Sequence, residues 1–142
     1  MSSMPNVTLQ NTYQLFIGGK WRDASGGVTF TTSCPANGAP LAKCAEATRD
    51  DVDLAVQEAW KAFASWKHVT VNERAAILNK IADIIDANTE HLAMVESLDN
   101  GKPIRETMAV DIPMAAQHFR YFAGCIMAEE GSAKMLDENT LS

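Results

Sequence analysis

The 142-residue chain has room for about one domain. Its apolar share of 46% and charged share of 21% are those of a folded globular protein rather than a disordered one, and no apolar run reaches the ~18 residues that cross a bilayer. Twelve basic against eighteen acidic side chains, a net charge of −6, disfavour nucleic acid and anionic membrane as electrostatic partners.

Residues 1–14 are polar, uncharged and rich in Asn, Ser and Thr. They read as a flexible N-terminal arm or an extension along a sheet edge, with residues 15–142 forming the folded part. The first charged side chain is Lys20, so the opening stretch has neither the basic start of a secretory signal nor the arginines of a transit peptide. Cys34, Cys44 and Cys125 are an odd count without a CxxC pair. They read as reduced thiols, and a cytoplasmic location is the expectation.

From residue 15 the pattern is that of short strands. Leu15-Phe16-Ile17 and Lys20-Trp21-Arg22 flank Gly18-Gly19 as the arms of a hairpin. A turn at residues 24–27 leads into the β-branched run 28–32, and a turn around Pro35 and residues 37–40 leads into a strand over 41–45. After Thr48 the period changes to about 3.6. Thr48 and Asp51 make a capping box, and Val52, Ala55, Val56, Ala59, Trp60 and Phe63 share one helix face. Burial of that stripe would contribute on the order of 10 kcal/mol before entropy, an upper bound.

Thr70 and Glu73 open a second helix, with Ala76 or Ile77, Ile81, Ile84 and Ile85 on its apolar face to about Ala87. Asn88 ends it and caps a third, over residues 90–98, with Leu92, Val95 and Leu98 inward and Asn100-Gly101 as its stop. The last long element covers residues 104–127, where Met108, Ile112, Ala115, Phe119, Phe122 and Ile126 form a helical seam. Pro113 inside it leaves two options: a kinked single helix, or a helix that begins at Asp111 with Pro113 in its first turn. Beyond Gly131 the chain is polar. The whole is mostly helical, β-hairpins followed by about four helices.

The residues themselves assemble no catalytic constellation. His68, His91 and His118 are scattered over three segments without metal-ligand spacing. Cys125 follows an apolar helix face and has no electropositive neighbour in sequence, as an inert buried thiol would. Gly18-Gly19 lies between strands and does not match G-x-G-x-x-G, and Pro103 removes a donor from the Asn100-Gly101-Lys102-Pro103 turn. Trp21, Trp60 and Trp66 read as core and hairpin packing.

Six segments, in order, resemble the aldehyde dehydrogenase superfamily. Residues 15–21 (LFIGGKW) are similar to its N-terminal hairpin, Cys34-Pro35-Ala36-Asn37-Gly38 to its NPATG turn, and residues 51–56 with Ala62, Phe63 and Trp66 to its first helix. Residues 74–78 (RAAIL) are similar to its second helix, residues 98–103 (LDNGKP) to a segment of the same spelling, and residues 118–124 (HFRYFAG) to the helix that follows. The nearest likeness is to bacterial acetaldehyde-type enzymes. Cys34 stands where the family usually carries Asn, which is expected to loosen that turn.

The resemblance implies an α/β enzyme that oxidises an aldehyde to a carboxylic acid: a cysteine thiolate forms a thiohemiacetal, hydride passes to NAD or NADP, and water releases the acid. In the family the nucleotide-binding Rossmann sheet, the catalytic cysteine, the general-base glutamate and the oxyanion-holding asparagine all follow the stretch matched here. The chain therefore reads as a front fragment lacking the Rossmann sheet, catalytically inactive alone and expected to bind no cofactor. The helix over residues 104–127 corresponds to one wall of the tunnel that admits the aldehyde, with Val110 and Met114 as wall residues, four apart and so on one face. In some members backbone near Asp99 helps hold a monovalent cation. A small aldehyde is the expected substrate of the whole enzyme, and self-association or pairing with full-length subunits the expected partnership. The alternatives are a non-enzymatic interaction fragment and a truncated gene product without function.

Overall fold

The computed structural model describes residues 7–142. Residues 15–17 and 20–22 form an antiparallel pair, β2 (Leu15–Ile17) and β3 (Lys20–Arg22), preceded by a short strand β1 (Thr12–Tyr13). Gly18 and Gly19 both have positive φ (61° and 76°), as the two central residues of the tightest hairpin turn require. Phe16 pairs with Trp21 across this hairpin, their ring centroids 4.9 Å apart.

A second, three-stranded sheet has the order β1-β5-β4, with β4 (Thr29–Ser33) antiparallel to β5 (Pro40–Ala45) and β1 parallel to β5. Of the two forms expected for residues 1–14, Thr12 and Tyr13 take the extension along a sheet edge and not the flexible arm, pairing with Lys43 and Cys44 as an edge strand. A polar, uncharged sequence is free to follow an open sheet edge, since its backbone supplies the ladder. The rest of the expected arm, residues 1–6, lies outside the described residues. The turn carrying Cys34 is not loosened by the missing asparagine. The Cys34 N–H donates to the Ala39 carbonyl (2.8 Å), the Gly38 N–H donates to the Cys34 carbonyl (2.7 Å), and Cys34 is buried.

Three long helices follow: α1 (Arg49–Trp66), α2 (Val71–Ala87) and α3 (Thr89–Asn100). Both expected capping boxes are present, at Thr48/Asp51 and at Thr70/Glu73. The first does more than cap. The Asp51 carboxylate accepts the Ser25 hydroxyl (2.6 Å) and N–H, and the Thr48 N–H (2.8 Å), which ties the loop after the hairpin to the start of α1. The Ser25 hydroxyl, then the Thr48 amide, hold this buried carboxyl well below the ordinary carboxylate pKa. Thr70 lowers the Glu73 pKa through the same pair of contacts, hydroxyl first and backbone second.

Asn88 does not cap α3 with its side chain. Its Nδ2 donates back to the Ile84 carbonyl (2.8 Å), closing α2 instead. α3 ends at Gly101 with φ 79°, and a Cβ there would stand 3.0 Å from Pro35. Positive φ and close approach both call for glycine.

The final helical run is continuous in sequence but not in winding. A single turn, α4 (Ile104–Glu106), passes into a π-turn (Thr107–Asp111) and then α5 (Ile112–Ala128), with Pro113 in the first turn of α5. Pro113 has no N–H to give to the carbonyl four residues back, and Ile112 donates to Thr107, five back. The run is thus neither of the two expected forms alone: it is one helical path whose irregularity is an inserted residue. After it, β6 (Met135–Asp137) and β7 (Thr140–Leu141) make a small hairpin that the polar sequence did not announce.

The core lies between α2 and α5, where Ala75 and Ala82 face Ala116 and Ala123, and continues to Ala93 and Met94 of α3. Arg120 of α5 joins Asp83 (2.7 Å) and Asp86 (2.8 Å) of α2 at its rim. Three expected apolar faces are corrected, one wholly and two in part. The α1 stripe is not buried in this chain: Val52, Val56, Trp60 and Phe63 remain about half exposed or more, and so do Ile77, Ile84 and Phe122. Trp21, Trp60 and Trp66 are likewise exposed rather than core residues, although Trp21 does pack on Phe16 and Trp60 meets Phe63 edge-on. Helical period identifies a face, and the partner that covers it is a separate matter.

Candidate functional site: the π-turn and the start of the last helix

Val110 is the fourth residue of the π-turn and Met114 lies in the first turn of α5. Both are 46% exposed, so this stretch presents two apolar, adaptable side chains outward rather than to the α2–α5 core. The inserted residue changes the phase between them, since a π-turn holds more than 3.6 residues.

The π-turn is held at both ends. Its last residue, Asp111, accepts Lys102 Nζ at 2.7 Å, an ion pair that raises the Lys102 pKa. Its first residue, Thr107, is fully buried. Thr107 Oγ1 lies 3.0 Å from the Ala93 carbonyl, 2.8 Å from Ser97 Oγ and 3.2 Å from the Ile104 carbonyl. A cavity of about 220 Å³ adjoins this corner, lined by Cys34, Met94, Ser97, Gly101, Lys102 and Ile104 among others.

Asp99 stands apart from this group. It accepts the Thr32 hydroxyl at 3.0 Å and lines a separate cavity of about 130 Å³ with Tyr13, Thr32 and Cys44. Among the described residues no set of three or more His, Cys, Asp or Glu side chains is grouped to hold a metal ion. The structure therefore brings Val110 and Met114 onto one helical run and leaves Asp99 elsewhere. Reading the sequence alone missed Thr107 and Ser97. A threonine three residues after Ile104 and ten after a serine is unremarkable until α3 and the π-turn are packed together.

The thiols are free, with Cys34 buried and Cys44 and Cys125 half-buried. Cys125 lies near the Tyr121 hydroxyl, whose pKa its thiol raises. A phenol so perturbed is no base at neutral pH. The positive-φ glycines sit in turns or, for Gly101, at the C-terminal end of α3. A dinucleotide pyrophosphate needs backbone N–H groups at a helix N-terminus. Among the described residues these glycines do not stand at the start of a long helix. No helix among the described residues is long and apolar enough to cross a membrane.

The family model described as "Aldehyde dehydrogenase family" matches residues 21–142. Acetaldehyde dehydrogenase 2 of Cupriavidus necator is 47% identical over 130 residues, which are 92% of this chain and 26% of that protein. A long-chain-aldehyde dehydrogenase of an Acinetobacter species is 43% identical over 136 residues, 96% of this chain and 27% of that protein. Among solved structures, PnpE of a Pseudomonas species, crystallised with nicotinamide adenine dinucleotide, aligns with a TM-score of 0.86 at 40% identity over 91% of this chain and 26% of its own. The chain thus spans about a quarter of the length of the curated relatives it matches.

Proposed function

The chain belongs to the aldehyde dehydrogenase family, and we propose that it is the N-terminal segment of an NAD(P)-dependent aldehyde dehydrogenase, contributing a wall of the aldehyde's path and not the chemistry. One observation carries this reading: the family match takes in residues 21–142, yet the chain spans only about a quarter of the length of its relatives. The exposed pair Val110 and Met114 supplies the apolar, adaptable surface that suits an aldehyde in transit. The bare stripe of α1 fits as well, because the remainder of a longer polypeptide would cover it. The nicotinamide cofactor would accept hydride in the whole enzyme, and no residue of this segment is assigned to it. Relatives of similar identity are named for acetaldehyde and for long-chain aldehydes, so the segment leaves the chain length of the substrate open. Reduced cytoplasmic thiols belong to the same reading.

The direct test is aldehyde-dependent NADH formation by the purified 142-residue chain beside a full-length enzyme containing it. Turnover only by the longer protein is expected, and turnover by the short chain would refute the division of labour. A second reading, pairing with intact subunits, draws on the open outer edges of β1 and β4. Co-elution of the chain with a full-length homologue would support it, and a lone monomer in that mixture would exclude it.

A further inference from the structure

We propose that Thr107 is a positioning residue for the aldehyde path: its buried hydroxyl fixes the π-turn against α3, and so sets the position of Val110 and the size of aldehyde that passes. The inference rests on the reading of Val110 and Met114 as wall residues.

A hydroxyl has one proton to donate and two lone pairs to accept with. At Thr107 two carbonyls compete for that proton. One is the local Ile104 carbonyl, 3.2 Å away, the three-back contact a threonine in a helix makes by default. The other is the Ala93 carbonyl on α3, at 3.0 Å. With Ser97 Oγ at 2.8 Å as donor, a consistent chain runs from Ser97 to Thr107 to Ala93, and every member is satisfied. Thr107 is then bonded to the neighbouring helix twice.

The turn needs such a hold. Pro113 withdraws a backbone donor, and a π-turn is less favourable than the α-turn it replaces. Its two ends are clamped differently. Thr107 at the first position is buried and neutral, whereas Asp111 at the last position is joined to the half-exposed Lys102. An exposed ion pair is screened and contributes little; a buried hydrogen-bond chain is not screened. The position of Val110, between the two clamps, therefore follows the Thr107 end.

The test uses a full-length enzyme containing this segment, with kcat/KM measured for acetaldehyde and for a straight-chain aldehyde of eight or so carbons. Met114→Ala is expected to change the ratio of the two by about tenfold, as a lost methylene contact in an apolar wall does. Thr107→Val, which keeps the shape and removes the hydroxyl, is expected to change it by about fivefold, because it displaces a wall residue without truncating it. That change falls on KM more than on kcat, and Thr107→Ser restores the original ratio. An unchanged ratio in a folded Thr107→Val enzyme whose Met114→Ala counterpart does shift would overturn the inference and leave the wall reading intact. No shift with Met114→Ala would overturn both. Should Thr107→Val not fold, Ser97→Ala takes its place, with a smaller shift expected in the same direction and an unchanged ratio counting against the proposal.

Discussion

Two helical surfaces with equally strong apolar patterns meet different fates in this chain. The faces of α2 and α5 close on each other through alanines, with Ala82 and Ala116 fully buried. Small side chains allow the two helices to approach closely, so that larger neighbours such as Ile81 and Phe119 need only flank the contact. The α1 stripe is built from valines and aromatics that stand off the backbone, and α1 buries only Asp51, an acid at its first turn. An apolar face made of large residues asks for a broad partner, and the described residues leave this one about half exposed. The difference separates a finished interface from an unmade one.

Substitutions sharpen that contrast. Ala116→Leu forces extra methylenes into the closed interface, and a loss of about 1–3 kcal/mol in denaturant unfolding is expected. Thr48→Ala removes the cap that begins α1, and a smaller loss of about 1 kcal/mol is expected in the same measurement. The acid next to that cap makes the effect pH-dependent. Because the folded state depresses the Asp51 pKa, its stabilisation is complete above the ordinary carboxylate value of about 4 and fades as pH falls below it. The thermal midpoint of the native chain should accordingly drop faster on acidification than that of Asp51→Asn. The smallest effect belongs to the unmade face: Trp60→Ser should alter the stability of the 142-residue chain by no more than about 0.5 kcal/mol. In a full-length enzyme, if the rest of the polypeptide covers the stripe as proposed, the same change should cost about 3–5 kcal/mol.

Local chemistry was legible in the sequence. Thr48 with Asp51, Thr70 with Glu73, Gly18-Gly19 and Gly101 each act within a few residues, and each is found where its type and spacing put it. Features set by distant partners were not legible. Asn88 stood between the orphan carbonyls that end α2 and the orphan N–H groups that open α3, and its side chain bonded the former. Thr12 and Tyr13 gained their strand from the edge of β5, and Trp60 and Phe122 stayed exposed because helical period names no partner. The candidate site divides in the same way. Val110 and Met114 came from the family resemblance, while Thr107 became visible only when α3 brought Ala93 and Ser97 to its hydroxyl.

Amide hydrogen exchange, compared between the 142-residue chain and a full-length enzyme containing it, tests the contrast and the assignment as an N-terminal segment together. Strong protection of α2 and α5 in both proteins, with α1 weakly protected in the short chain and strongly protected in the long one, is the expected result. Equal protection of α1 in the two proteins would contradict it, since the stripe would then have no partner in the rest of the polypeptide.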